Sequence, residues 1–325
     1  MAPFVKASLC AFAPFLDNNK MTTSGSYLVP IKTDSSASLN GMTKSGSAQM
    51  LAEKGVSLPR AHSSQLLATQ QQDVELSGGI KLTWEPRVER MIRERFEAAD
   101  HTPFMVGLVG IPGSGKSTSC DILASLLSSS SNGVDGEEEP ISNIVIPMDG
   151  YHYSVADLQK MDNPDDKIYR RGAPDTFDAA GLKRDLQRIA HGKERIVKMP
   201  GFDHAKGDPE PDEHVFIRDE HKIVMCEGLY LVHDSDGWEG IVDEFDFTVF
   251  INSDVDICID RLKIRNKCIP GYTPDEIEFR CDAVDRVNAN TVMRSIDRAD
   301  VVVESAAAMA AAAAADLDLD EECFV

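Results

Sequence analysis

Five short apolar runs punctuate the middle of the chain, at Phe104–Val109, Asn143–Pro147, Lys222–Cys226, Phe245–Ile251 and Val301–Val303. They are continuous rather than alternating, the pattern of strands buried on both faces of a parallel sheet. Between them the period lengthens. Pro86–Ala99 sets Val88, Met91, Ile92 and Phe96 on one helical face, with a proline near its start. Further helices are expected over 115–128, over 179–191 between an Asp178 N-cap and Gly192, and over 254–267 behind a Ser253/Asp256 capping box. A longer one runs from the Thr273/Glu276 box to about Ile296. Ser154, with Asp157 three residues on, caps another helix. Arg195–Met199 reads as an additional strand, and the Pro-, Gly- and Asp-rich stretch 200–209 after it as a loop. Strands alternating with helices predict an α/β fold, a five-stranded parallel sheet with helices on both faces. Such sheets bind ligands at the carboxyl ends of their strands.

The two ends of the chain differ from this middle. Residues 1–80 are rich in Ser, Thr, Ala and Gln with little periodicity, and are expected to be a disordered or targeting extension. Residues 306–325 form an Ala-rich and then acidic tail, which leaves 81–305 as the folded domain. The hydroxyl-rich, acid-poor start suits an organellar transit peptide, but no arginine precedes Arg60. A cytoplasmic location is therefore the first expectation, with plastid or mitochondrion as the alternative. No apolar run approaches the length of a membrane span. A net charge of −21 argues against coating nucleic acid or clinging to an anionic membrane, so neither is expected as a partner. Seven scattered cysteines without a C-x-x-C read as reduced packing thiols, and no Cys/His spacing suggests zinc. A homodimer is compatible with all of these features.

The chemistry concentrates where the first apolar run ends. It enters Gly110-Ile111-Pro112-Gly113-Ser114-Gly115-Lys116-Ser117-Thr118, which fits G-x-x-x-x-G-K-[ST] at every fixed position. Glycines let successive N–H groups turn inward around a phosphate chain. Lys116 brings a point charge to the β/γ-phosphates, the Ser117 hydroxyl can take a Mg²⁺ site, and the next helix starts with its positive dipole end against the anion. Asp149 and Glu227 directly follow the second and third runs, so the strand-end rule brings both to the phosphate loop despite their distance in sequence.

Phosphoryl transfer needs an anion cradle, Mg²⁺, cations on the moving charge and a group that accepts the acceptor's proton. Gly110–Thr118 is the candidate cradle for ATP, with Ser117 and Glu227 as Mg²⁺ partners. Asp149 is the candidate base. Lys116, with Arg261 and Arg265 four apart on one helical face, is placed to stabilise transferred charge. Arg170 and Arg171 could hold an anionic or polyhydroxylated acceptor, and Tyr151, His152, Asp203 and His204 could bond its hydroxyls. Plainer roles compete at each: a turn residue for Asp149, a structural ion pair for Glu227, a solvated basic face for Arg261 and Arg265, and a surface turn for Arg170 and Arg171.

Phe104 to about Glu304 resembles the P-loop kinases grouped as phosphoribulokinase, uridine kinase and pantothenate kinase. Met148-Asp-Gly-Tyr-His-Tyr153 is similar to that family's strand-end Asp motif, and Arg170-Arg-Gly-Ala-Pro-Asp-Thr-Phe-Asp178 to its R-[RK]-G-x-P-x-[ST]-[FY]-D segment. Pro200-Gly-Phe-Asp203-His204 resembles its acceptor loop, Cys226-Glu227-Gly228-Leu-Tyr230 its E-G strand end, Asp260-Arg261-Leu-Lys-Ile-Arg265 its arginine-bearing lid, and Asp285-Arg-Val-Asn288-Ala its late helix. The resemblance implies the P-loop NTPase fold and an ATP- and Mg²⁺-dependent kinase acting on a small-molecule hydroxyl. It leaves the acceptor open, because Asp149-Gly-Tyr-His departs from both the uridine-kinase D-S-F-Y and the pantothenate-kinase D-G-F-L-Y. A P-loop protein that binds or slowly hydrolyses ATP as a switch or partner module is the competing reading, and a nucleoside-monophosphate kinase a third.

Overall fold

The computed structural model of the chain describes residues 84–129, 139–203, 206–267 and 273–305, with the backbone path of short strand pieces at 65–66, 74–75, 81–82, 131–133 and 136–138. The expectations for the rest of 1–80, for His204 and for the 306–325 tail lie outside these residues. All described residues belong to one compact unit.

In chain order the strands are β1 (Phe104–Gly110), β2 (Asn143–Pro147), β3 (Ile196–Asp203), β4 (Asp208–Ile217), β5 (Ile223–Gly228), β6 (Phe247–Asn252) and β7 (Val301–Glu304). The longer helices are α1 (Glu85–Ala98), α2 (Lys116–Leu127), α3 (Ala179–Ala190), α4 (Val255–Asn266), α5 (Pro274–Arg280) and α6 (Arg286–Met293). The five expected core strands form one parallel sheet in the order β7-β6-β1-β5-β2, and a two-residue strand, Gln65–Leu66, adds to its outer edge beside β7.

Burial on both faces explains the continuous apolar runs. Met105, Val109, Val224, Cys226 and Phe250 face a core completed by Leu182, Leu186 and Ile189 of α3 and by Ala289 and Val292 of α6. Val106, Leu108, Met225, Val249 and Ile251 face the other core, with Val88 and Ile92 of α1 and Cys120, Leu123 and Leu127 of α2. Among the described residues no helix is long and apolar enough to cross a membrane. The described cysteines Cys120, Cys226, Cys258 and Cys281 are unbridged and buried, and burial pushes each thiol up.

Three local expectations change. Residues 200–203 are not loop: they continue β3, which pairs antiparallel with β4 in a hairpin broken by an irregularity between Met199 and Gly201. The cap of α4 is Asp254, whose carboxylate accepts from Ile257 N at 2.9 Å, one residue beyond the expected Ser253. The long helix after Thr273 is interrupted by a π turn, Cys281–Asp285, between α5 and α6. The other caps form as read, at Ser154, at Asp178 and in the Thr273/Glu276 box.

Candidate active site

Between β1 and α2 the phosphate loop turns through two left-handed glycines, Gly113 at φ +81° and Gly115 at φ +88°. A Cβ at Gly115 would meet nothing, so its requirement is conformational. A Cβ at Gly113 would lie 2.7 Å from the Cys258 carbonyl oxygen, so α4 is packed directly against the loop. That contact brings the helix carrying Arg261 and Arg265 to the phosphate side. Arg261 is exposed and Lys116 half-buried, and among the described residues neither forms an ion pair with a carboxylate. Arg265 spends its Nε on Asn266 Oδ1 at 3.3 Å.

Glu227 is the penultimate residue of β5, which pairs with β1, and is 7% exposed. Its Oε1 accepts from the Ser117 hydroxyl at 2.9 Å, while Oε2 is buried without a hydrogen-bond partner. Burial raises the Glu227 carboxyl above its ordinary range; Lys116 and the Ser117 bond oppose this, and Asp149 and Asp121 add to it. An unpartnered carboxylate oxygen beside a serine hydroxyl is a hard-oxygen donor pair suited to Mg²⁺, which keeps much of its shell for water and phosphate. Among the described residues no cluster of three or more His, Cys, Asp or Glu forms a complete metal cage. Ser117 and Glu227 therefore fit a cation that shares its shell with a nucleotide.

Asp149 lies in the 3₁₀ turn Met148–Tyr151 that follows β2, with its side chain 30% exposed. It is close enough to Glu227 and Arg171 for its charge to act on both. A Cβ at Gly150, the next residue, would lie 2.2 Å from the Pro200 carbonyl oxygen, so the turn is pressed onto β3.

The structure distributes the acceptor-side candidates unevenly. Tyr151 is buried and donates to Asp185 at 3.1 Å, and burial raises its phenol further. His152 is nearly buried, with its ring between Phe177 and Phe202. Arg170 forks onto Asp175 at 3.0 and 3.1 Å and holds Asp166 at 2.8 Å. Arg170 in turn holds the Asp175 carboxyl down at about 2. Arg171 is 1% exposed and bonds the Gly207 carbonyl, the Tyr153 carbonyl at 2.8 Å and Asp208 at 2.8 Å, its Nε having no partner. Burial pulls its guanidinium down, and Asp208 offsets part of this. Arg171 thus ties the hairpin to the segment after Asp149 rather than opening onto solvent. Asp203 binds Lys206, through its backbone N–H at 3.2 Å and its ammonium at 3.1 Å.

Sequence reasoning missed Asp208 as the partner of Arg171, and the packing of Phe177 and Phe202, which lie inside the quoted motifs, against His152. A cavity of about 410 Å³ opens beside the turn, lined by Tyr151, His152, Arg184 and Asp185, and another of about 330 Å³ lies under Arg170, Asp175 and Asn288.

Residues 105–312 match the model of the phosphoribulokinase/uridine kinase family. A Schizosaccharomyces pombe protein provisionally named uridine kinase C227.14 is 33% identical over 207 residues, 62% of this chain and 82% of that one. A pantothenate kinase of Allorhizobium ampelinum is 33% identical over 172 residues, 50% of this chain and 48% of its own. Among solved structures, a protein from Silicibacter sp. TM1040 provisionally titled a fructose transport system kinase superposes with a TM-score of 0.58 at 26% identity, covering 67% of this chain and 98% of that one. On its fold, its phosphate loop and these matches, the chain belongs to the phosphoribulokinase/uridine kinase family of P-loop kinases.

Proposed function

We propose that the protein transfers the γ-phosphoryl group of ATP to a hydroxyl of a small molecule, with 81–305 as the catalytic unit. The observation that carries this reading is the half-open Asp149 carboxylate beside the Ser117–Glu227 pair at the rim of the phosphate loop. A bound Mg²⁺ would neutralise phosphate charge, and Ser117 and Glu227 are the residues that would hold it. The N–H groups of 113–118 cradle the nucleotide phosphates. Lys116 and Arg261 supply unpaired positive charge where the phosphoryl group moves. Asp149 accepts the proton of the attacking hydroxyl.

The alternative, an ATP-binding switch, has no use for an accessible carboxylate at that strand end. ADP release from Mg-ATP, measured alone and with uridine, pantothenate or fructose, separates the two. Acceptor-dependent release supports the kinase. Release that never rises above the rate with water supports the switch.

A further inference from the structure

We infer that His152 is a positioning residue for Asp149, holding the turn that carries it through its Nδ1–H. The inference rests on the reading of Asp149 as the base. The Asp149 carbonyl oxygen accepts two bonds from one residue: His152 N at 3.2 Å and His152 Nδ1 at 2.9 Å. A carbonyl only accepts, so Nδ1 carries the proton, which fixes the tautomer. The same nitrogen lies 4.0 Å from Asp149 Oδ1, beyond hydrogen-bond distance, so its hold is on the backbone of the turn.

The ring is itself held. Its centroid lies 3.9 Å from that of Phe177 and 4.9 Å from that of Phe202. Phe177 is fixed by an antiparallel bridge to His152, flanked by Tyr153 N bonding Thr176 O at 3.0 Å and Asp178 N bonding Tyr151 O at 2.7 Å. Phe202 belongs to β3 and lies under the Arg171 guanidinium, 5.6 Å from its ring centroid. The buried arginine thus fixes the hairpin, the hairpin fixes the imidazole, and the imidazole fixes the turn. A displacement of the base of about 1 Å is enough to cost on the order of 10²-fold in rate.

Two substitutions isolate the Nδ1 bond. His152→Asn places an amide N–H where Nδ1 sits, whereas His152→Gln places it where Nε2 sits. ADP release from Mg-ATP is measured with water and with uridine, pantothenate and fructose, and Asp149→Asn is run in parallel. The expected result is that His152→Gln loses at least about 10-fold in kcat with KM for ATP unchanged, and that His152→Asn regains most of the loss. Histidine ¹⁵N shifts of the full chain should show His152 as the Nδ1–H tautomer. Equal kcat in wild type and both variants, equal losses in both variants, or an Nε2–H tautomer would overturn the positioning role. If Asp149→Asn itself turns over normally, the base reading fails instead, and the tautomer alone then decides whether His152 holds the turn.

Discussion

Lys116 and Arg261 stand on the phosphate side without carboxylate partners among the described residues, whereas Arg170, Arg171 and Lys206 on the acceptor side each hold at least one. The acid side shows the same contrast. Glu227 keeps one buried oxygen unpartnered, while Asp175 takes Arg170 on both oxygens and Asp208 takes Arg171 and the Val155 N–H on Oδ1. Uncompensated charge in a folded protein is costly unless a ligand supplies the opposite sign. The phosphate side is thus left electrostatically incomplete, ready for an anion and a cation together. On the acceptor side the charges are engaged mainly with protein, the buried Arg171 Nε being the exception.

The largest expected effect tests the incomplete side. Lys116→Ala should lower kcat/KM by about 10³-fold while leaving the melting temperature almost unchanged, because no protein partner is lost. A large loss of stability in that variant would mean the lysine is structural after all.

The adjacent arginines test the acceptor side. Arg171→Met should destabilise by about 3 kcal/mol in urea titration, since it strips three bonds from a buried frame whose partner Asp208 is 35% exposed. Arg170→Ala, half exposed, should cost less than about 1 kcal/mol. Equal costs would erase the distinction between the two residues.

Glu227 gives a smaller, pH-dependent effect. Its folded carboxyl is raised by burial, so the stability it contributes is full below the ordinary glutamate pKa and falls as pH climbs through the raised value. In metal-free buffer, Glu227→Gln should therefore melt higher than wild type, by a margin that grows as pH rises above the ordinary glutamate pKa. Mg-ATP should stabilise wild type more than the variant. A margin independent of pH would contradict the raised carboxyl.

The strand ends were legible because continuous apolar runs, each closed by a glycine-rich turn or an acid, point to the carboxyl edge of one sheet. Phe104–Gly110, Asn143–Pro147 and Ile223–Gly228 lie side by side as that pattern requires. The hairpin was not legible. Strand β4 begins Asp208-Pro-Glu-Pro-Asp, and prolines speak against a strand; they are tolerated here because, among the described residues, β4 pairs with β3 alone. Arg171 reads in sequence as an acceptor contact or a surface-turn residue, and only the fold brings Asp208, 37 residues later, to pair with it in the interior. The π turn at Cys281–Asp285 leaves no glycine or proline to announce it. What a linear reading loses is therefore the long-range pairing that turns acceptor-side charges into scaffold.

The most direct measurement is Asp149→Asn, assayed for ATP binding and for acceptor-dependent ADP release side by side. ATP affinity should stay within about twofold of wild type, since the phosphate loop and the Ser117–Glu227 pair are untouched. Acceptor-dependent turnover should fall by about 10²- to 10⁴-fold. Unchanged turnover with intact ATP binding would contradict the assignment of Asp149 as the base.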